Sequence, residues 1–182
     1  DQTDSTNNEA QRALSYKSNF PFWIIANEQT SGRGRKNRYW VSQKGNFMGT
    51  FVLEHKIEKQ YIPHLSFVTS LALRETIEGF NKGDKEIFLK WPNDIIIKDS
   101  KCAGILIESL KSNSDKEYLA IGIGVNLINH PSKSSFKATS LKKEFNINIG
   151  RDEFLNKLNN NLLAKINICL LYTSDAADEC SG

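Results

Sequence analysis

The sequence has little cysteine, little histidine and no long apolar run, and each shortage removes a class of protein. Three cysteines, Cys102, Cys169 and Cys180, are too few and too scattered for a disulfide framework, and none forms a Cys-x-x-Cys pair. That usage fits a reducing, cytoplasmic setting. The three histidines, His55, His64 and His130, lack metal-ligand spacing, so no structural zinc and no dedicated metal site is expected. No apolar run approaches the roughly 18–20 residues that a membrane span needs. No charged-then-apolar leader opens the chain. A net charge of +3 is too mild to imply nucleic acid by itself, so any basic function has to be local.

What is present reads as one globular domain. The 182 residues are 39% hydrophobic and 25% charged, enough to bury a core without disulfides or metal. Thr6 followed by Glu9 predicts a capped helix from the Asp4-Ser5-Thr6 segment to about Leu14. Phe22–Ala26 and Phe47–Leu53 read as strands around a polar loop from Gln29 to Gly45. Leu65, Val68, Ala72, Ile77 and Phe80 fall at helical spacing over Pro63–Phe80. Four strand-like runs follow, Glu86–Trp91, Asp94–Lys98, Cys102–Leu110 and Tyr118–Leu127, with turns at Asp99-Ser100 and Asn113-Ser114-Asp115. Leu155, Leu158, Leu162 and Ile166 mark a last helix from Phe154 to Ile166. Close strands joined by short turns pair antiparallel. The expected fold class is α+β, with a mostly antiparallel sheet and helices on one face.

After Ile166 the Lys/Asn-rich character stops, and Thr173–Gly182 carries no basic residue. Residues 1–167 are expected to form the domain. Residues 168–182 are expected to be a non-native or disordered tail.

Three clusters carry chemistry. Gln29 to Trp40 includes Ser31-Gly32-Arg33-Gly34-Arg35, which alternates glycine with arginine and contains no acid. Glycine lets backbone approach an anion, and arginine supplies a fork of donors for phosphate or carboxylate. On composition alone, a solvated basic loop or an RNA-binding module of the Arg-Gly kind is the plainer reading. The second cluster is Lys90-Trp91-Pro92-Asn93-Asp94, followed by Lys101-Cys102-Ala103-Gly104. Proline after a strand sets a corner, so two adjacent strand ends would present Asp94 and Lys101 to one pocket. The bland counterpart is a turn with an exposed ion pair. The third is Gly122-Ile123-Gly124-Val125-Asn126, whose glycines clear one face of a strand for a flat ligand or for tight packing. It lacks the third glycine of a dinucleotide-binding fingerprint.

In this order the motifs resemble the biotin–protein ligase family. The resemblance rests on Ser5-Thr6-Asn7, Gln29, Gly32–Arg35, Lys90–Asp94, Lys101 with Ala103–Leu106, and Gly122–Asn126, within residues 1 to about 166. It implies a fold related to class II aminoacyl-tRNA synthetases, and ATP-dependent activation of biotin to biotinyl-5'-AMP followed by transfer to an acceptor lysine. Ser5, Thr6, Asn7 and Gln29 would bind biotin, with Arg33, Gly34, Arg35, Lys101 and Gly104 lining its site. Arg35, Trp40, Asn93, Gly122, Gly124 and Asn126 would serve ATP or the adenylate. Lys101, Arg33, Arg35 and Asp94 would carry catalysis: Lys101 on the carboxylate and α-phosphate, the arginines on phosphate, and Asp94 orienting the acceptor lysine or Lys101. Mg²⁺ is implied with ATP, and a biotin carboxyl carrier domain as partner. A homodimer through a sheet edge is a further expectation.

Asn37 stands where many members have glycine. No DNA-binding helix-turn-helix segment precedes Asp1 in this chain, so a repressor role is not supported: either this is a monofunctional type or such a domain has been cut away. The family's small C-terminal β-barrel is expected to be missing. Lipoate–protein ligase is the nearest rival; it typically carries Arg-Arg-x-Ser-Gly-Gly-Gly at the loop.

Overall fold

The computed structural model describes residues 1–81, 86–112, 114–132 and 136–179, with side chains through residue 169. Cys180 and Asn113 of the expected turn lie outside the described residues. Among the described residues a six-stranded antiparallel sheet forms the centre. Its strands are β2 (Phe22–Ala26), β4 (Phe47–His55), β5 (Ile87–Lys90), β6 (Asp94–Ile97), β7 (Ser100–Leu110) and β8 (Glu117–Val125), in the order β2-β4-β8-β7-β6-β5. A small parallel pair, β1 (Gln2–Thr3) with β3 (Glu28–Gln29), stands apart and was not anticipated.

Helices α2 (Ile62–Glu78) and α4 (Arg151–Glu179) pack together over one face of the sheet. Their Leu65, Leu73, Ile77, Phe154, Leu158 and Leu162 join Phe47, Phe51, Ile95, Ile121 and Ile123 in the main core. Burying each large side chain contributes about 1.5–3 kcal/mol. The first helix, α1 (Thr6–Ala13), lies on the other face, where Ala10 meets Val52 and Ala120. Phe51 and Val52 are neighbours in β4 yet enter different cores, as a period of two requires. Coverage on both faces explains why β4 reads as a nearly continuous apolar run. The expectation of helices on one face therefore holds for the two long helices only.

Two further differences have physical causes. The expected cap at Thr6 does not form: Ser5 occupies the N-cap position and makes no side-chain cap bond. Both hydroxyls are engaged elsewhere, with Arg33 and Gln29. Helix α4 starts at Arg151, where Asp152 and Glu153 complement the dipole, and it continues past Ile166 to Glu179. Backbone over 168–179 continues this helix. A short helix, α3 (Leu141–Phe145), was also not anticipated.

Candidate active site

A cavity of about 540 Å³ opens on the α1 side of the sheet. Of the residues proposed from sequence, Ser5, Thr6, Asn7, Gln29, Arg33, Gly34, Arg35, Trp40, Asn93, Asp94, Lys101, Gly104, Gly122 and Gly124 line it. Asn126 does not. The chain leaves β8 after Val125, and the buried Asn126 amide donates to the Thr139 carbonyl at 2.9 Å. It ties the segment after β8 to the stretch around Thr139.

Lys101 reaches the cavity through a β-bulge. Ile95 pairs with Ala103 but Ile96 pairs with Lys101, which leaves Cys102 as the extra residue. Simple alternation would put Lys101 and Gly104 on opposite faces. The bulge reverses the parity, and Lys101 Nζ lies 3.3 Å from where a Cβ of Gly104 would stand. Cys102 is turned into the core, where burial pushes its thiol well above the ordinary range and keeps it protonated. Lys101 Nζ pairs with Asp94 Oδ1 at 2.6 Å, with both side chains largely shielded. Its ammonium also stands 5.4 Å from the Trp40 ring and 5.3 Å from the Phe136 ring. Of the two roles expected for Asp94, the ion pair is compatible with the orientation of Lys101.

Asn93 is spent on the corner. Its Nδ2 donates to Ile105 O at 2.7 Å, and its own carbonyl accepts from Ile105 N at 3.0 Å. Ser66 of α2 donates to Pro92 O at 3.0 Å, so the helix behind the sheet braces the same corner. Trp91 is 73% exposed at the mouth.

The glycines of β8 make room for the protein's own side chains. A Cβ on Gly124 would lie 2.6 Å from the Trp40 indole, and one on Gly122 would lie 2.5 Å from Asn7 Oδ1. Trp40 is thus held flat against the strand as one wall of the cavity.

The arginine loop folds back on itself, with Arg33 paired to Tyr39 and Gly34 N–H donating to Arg38 O at 2.7 Å. Lys36 and Asn37 occupy the left-handed region at φ 56° and 54°. Asparagine tolerates that conformation at modest cost, which explains how it substitutes for glycine at this position. Arg35 to Tyr39 are exposed, whereas Gly32 is buried under Ser42 and the Trp40 carbonyl.

The far end is closed by hydrogen bonds. Gln29 Oε1 accepts from Thr6 N at 2.8 Å and from Thr6 Oγ1 at 3.1 Å, and Gln29 Nε2 donates to Ser42 Oγ at 2.8 Å. Arg33, expected both on phosphate and along the biotin site, pairs with a carboxylate. Its Nη2 lies 2.8 Å from Glu108 Oε2, and its Nη1 donates to Ser5 Oγ at 3.1 Å.

Phe136 lines the cavity, and Glu108, Ser42 and Thr50 hydrogen-bond to the lining residues Arg33, Gln29 and Asn7; sequence reasoning missed all four. Glu108 follows Gly104 and Leu106 at period two on β7, a signal that could have found it. Thr50 pairs opposite Gly122 on β4. Phe136 arrives because Lys101 bridges Ala138 in parallel, which no local pattern announces.

Residues 1–126 match the Biotin/lipoate A/B protein ligase family. The chain is 37% identical to the biotin–[acetyl-CoA-carboxylase] ligase of Paracoccus denitrificans over 161 residues, 86% of this chain and 67% of that protein. It is 36% identical to the bifunctional ligase/repressor BirA of Bacillus subtilis over 110 residues, 60% of this chain but only 33% of that protein. The biotin protein ligase of Leishmania major in complex with biotinyl-5-AMP superposes with TM-score 0.76 at 29% identity, over 88% of this chain and 70% of that one. The biotin protein ligase of Aquifex aeolicus with biotin and ATP gives 0.76 at 30% identity, over 91% and 68%.

Proposed function

From the premise that the chain belongs to the Biotin/lipoate A/B protein ligase family, and to its biotin ligases, whose class II synthetase-like fold it shares, we propose that residues 1–167 form a biotin-activating catalytic unit. The observation that carries this reading is the placement of Lys101. Its ammonium, oriented by Asp94, stands between a hydrogen-bonded end at Ser5, Thr6 and Gln29 and an exposed basic loop.

In the reaction proposed, the biotin head group occupies the Ser5–Gln29 end and its carboxylate extends toward Lys101. A carboxylate oxygen attacks the α-phosphorus of ATP and pyrophosphate leaves. The lysine amine of an acceptor then attacks the carbonyl of the mixed anhydride and AMP leaves. Lys101 offsets charge on the carboxylate and on the α-phosphate oxygens, and Asp94 fixes where that ammonium sits. Arg35, exposed at the mouth, meets the triphosphate as the loop closes and excludes water from the anhydride. Mg²⁺ is expected with ATP. Among the described residues no group of three His, Cys, Asp or Glu side chains could hold an ion. The ion would come with the triphosphate, and no step is assigned to it.

The acceptor would be a biotin carboxyl carrier domain of a carboxylase, in a cytoplasmic setting. Among the described residues no helix is long and apolar enough to cross a membrane. A homodimer would extend the sheet at one of its edges, β2 or β5. Lipoate chemistry is set aside, because the relatives matched act on biotin by name and the loop reads Gly-Arg-Gly-Arg. RNA binding is set aside as well: it leaves the Lys101–Asp94 pair without a purpose. That residues 168–182 are not native remains part of the proposal, checked by mass spectrometry of the protein from its source.

The test is biotin-dependent exchange of labelled pyrophosphate into ATP, which needs no acceptor. Exchange with biotin but not with lipoate supports the reading. Exchange that ignores biotin contradicts it.

A further inference from the structure

Glu108 collects more hydrogen bonds than a surface ion pair needs. Its Oε2 accepts from Arg33 Nη2 at 2.8 Å and from Asn7 Nδ2 at 2.7 Å, and its Oε1 accepts from Arg33 Nε at 3.4 Å. Asn7 Oδ1 in turn accepts from Thr50 Oγ1 at 2.6 Å. The carboxylate on β7 thereby gathers α1, β4 and the arginine loop at one point. The remaining arm of Arg33, Nη1, donates to Ser5 Oγ at 3.1 Å.

This last contact fixes a polarity. A guanidinium has donors only, so Ser5 Oγ accepts from it, and the Ser5 proton is left to point into the cavity that Ser5 lines. Thr6 has the opposite sense. The backbone N–H of Thr6 donates to Gln29, which identifies that atom as the amide oxygen. Thr6 Oγ1 lies 3.1 Å from the same oxygen and must donate to it, so its lone pairs remain for a ligand N–H. Two adjacent hydroxyls therefore present one donor and one acceptor. A cyclic urea offers a carbonyl acceptor beside N–H donors, which is the complementary pattern.

We propose that Glu108 is a positioning residue for the urea end of biotin: it holds Arg33, and Arg33 sets Ser5 as the donor to the urea carbonyl. Arg33 is then withdrawn from phosphate chemistry, and Arg35 supplies the loop's charge to the triphosphate. This rests on the biotin reading above.

The experiment compares wild type, Glu108→Gln and Arg33→Met by equilibrium dialysis with radiolabelled biotin and by pyrophosphate exchange at saturating biotin. Both variants should raise the Kd for biotin by about tenfold to a hundredfold, the worth of a charge-assisted hydrogen bond. The KM for ATP should stay within about twofold, because the lost contact serves ground-state binding of biotin alone. Adding Ser5→Ala to either variant should cost little more, since the pair acts through that hydroxyl. Thermal melts by circular dichroism check folding, and Arg33→Met carries the test alone if Glu108→Gln does not fold. An unchanged biotin Kd, or a loss that falls on the KM for ATP instead, overturns the proposal. Wild type that neither binds biotin nor exchanges pyrophosphate overturns the underlying reading, a different outcome.

Discussion

At one end of the cavity Ser5, Thr6, Asn7 and Gln29 are buried and linked to Arg33, Ser42, Thr50 and Glu108 by short hydrogen bonds. At the other, Arg35, Lys36, Arg38, Tyr39 and Trp91 stand exposed on a loop and a corner. The first end has its donors and acceptors fixed before any ligand arrives. The second holds charge and aromatic surface whose order a ligand would complete. A small neutral head group gains from preorganisation, because every misplaced polar group costs binding. A triphosphate brings enough charge to organise a loop around itself. Lys101 stands between the two, and its bulge, its ion pair with Asp94 and its two flanking rings give it the rigidity of the first end.

The contrast can be broken at the midpoint first. Lys101→Ala removes the charge that both ends share, so pyrophosphate exchange should fall by about a hundredfold to a thousandfold. Biotin binding without nucleotide, followed by dialysis, should change far less. Loss of both in equal measure would mean that Lys101 belongs to the biotin end alone.

Gly124→Val asks whether the Trp40 wall serves the nucleotide end. Its Cβ would lie 2.6 Å from the indole, so the ring has to move. The KM for ATP in the exchange assay should rise by about tenfold, with biotin binding retained. Ionic strength separates the ends more gently. Between about 0.05 and 0.5 M salt, ATP binding should weaken steadily while biotin binding stays nearly flat, because only the exposed charges are screened.

The smallest effect concerns the start of α1. The Arg12 guanidinium, with lesser help from Asn8, Ser5 and Thr3, holds the Asp4 carboxyl well below its usual value of 3.8. A depressed carboxylate contributes stability that is fully present above that usual value and is lost as pH falls toward the lower folded-state value. Asp4→Asn should therefore lower the melting temperature slightly at neutral pH, and the difference from wild type should shrink below about pH 4. The pair is half exposed, which keeps the effect small.

These contrasts also mark what was legible in the sequence. The long strands and α2 were readable because their apolar residues repeat at periods that only one packing satisfies. Lys101, Asp94 and the arginine loop were readable because unusual residues sit close together in the chain. Arg33 was expected both on phosphate and along the biotin site; its partner Glu108 lies 75 positions away, a contact that no local pattern announces. Thr6 looked like a helix cap because capping is the usual use of a hydroxyl before a helix. The site draws Ser5 and Thr6 into its own network, and the helix starts without a side-chain cap. Asn126 shared a motif with two cavity glycines, but the chain turns away after Val125. In each case a local pattern was overridden by a contact between distant segments, and the overrides cluster at the site.

The most direct test of the central claim is a calorimetric titration of biotin onto the wild-type chain with no nucleotide present. A preformed head-group end predicts binding at one site per chain, no binding of lipoate under the same conditions, and a sharp loss of biotin affinity in Glu108→Gln. Biotin that binds only after ATP has been added, or lipoate that binds equally well, would contradict it.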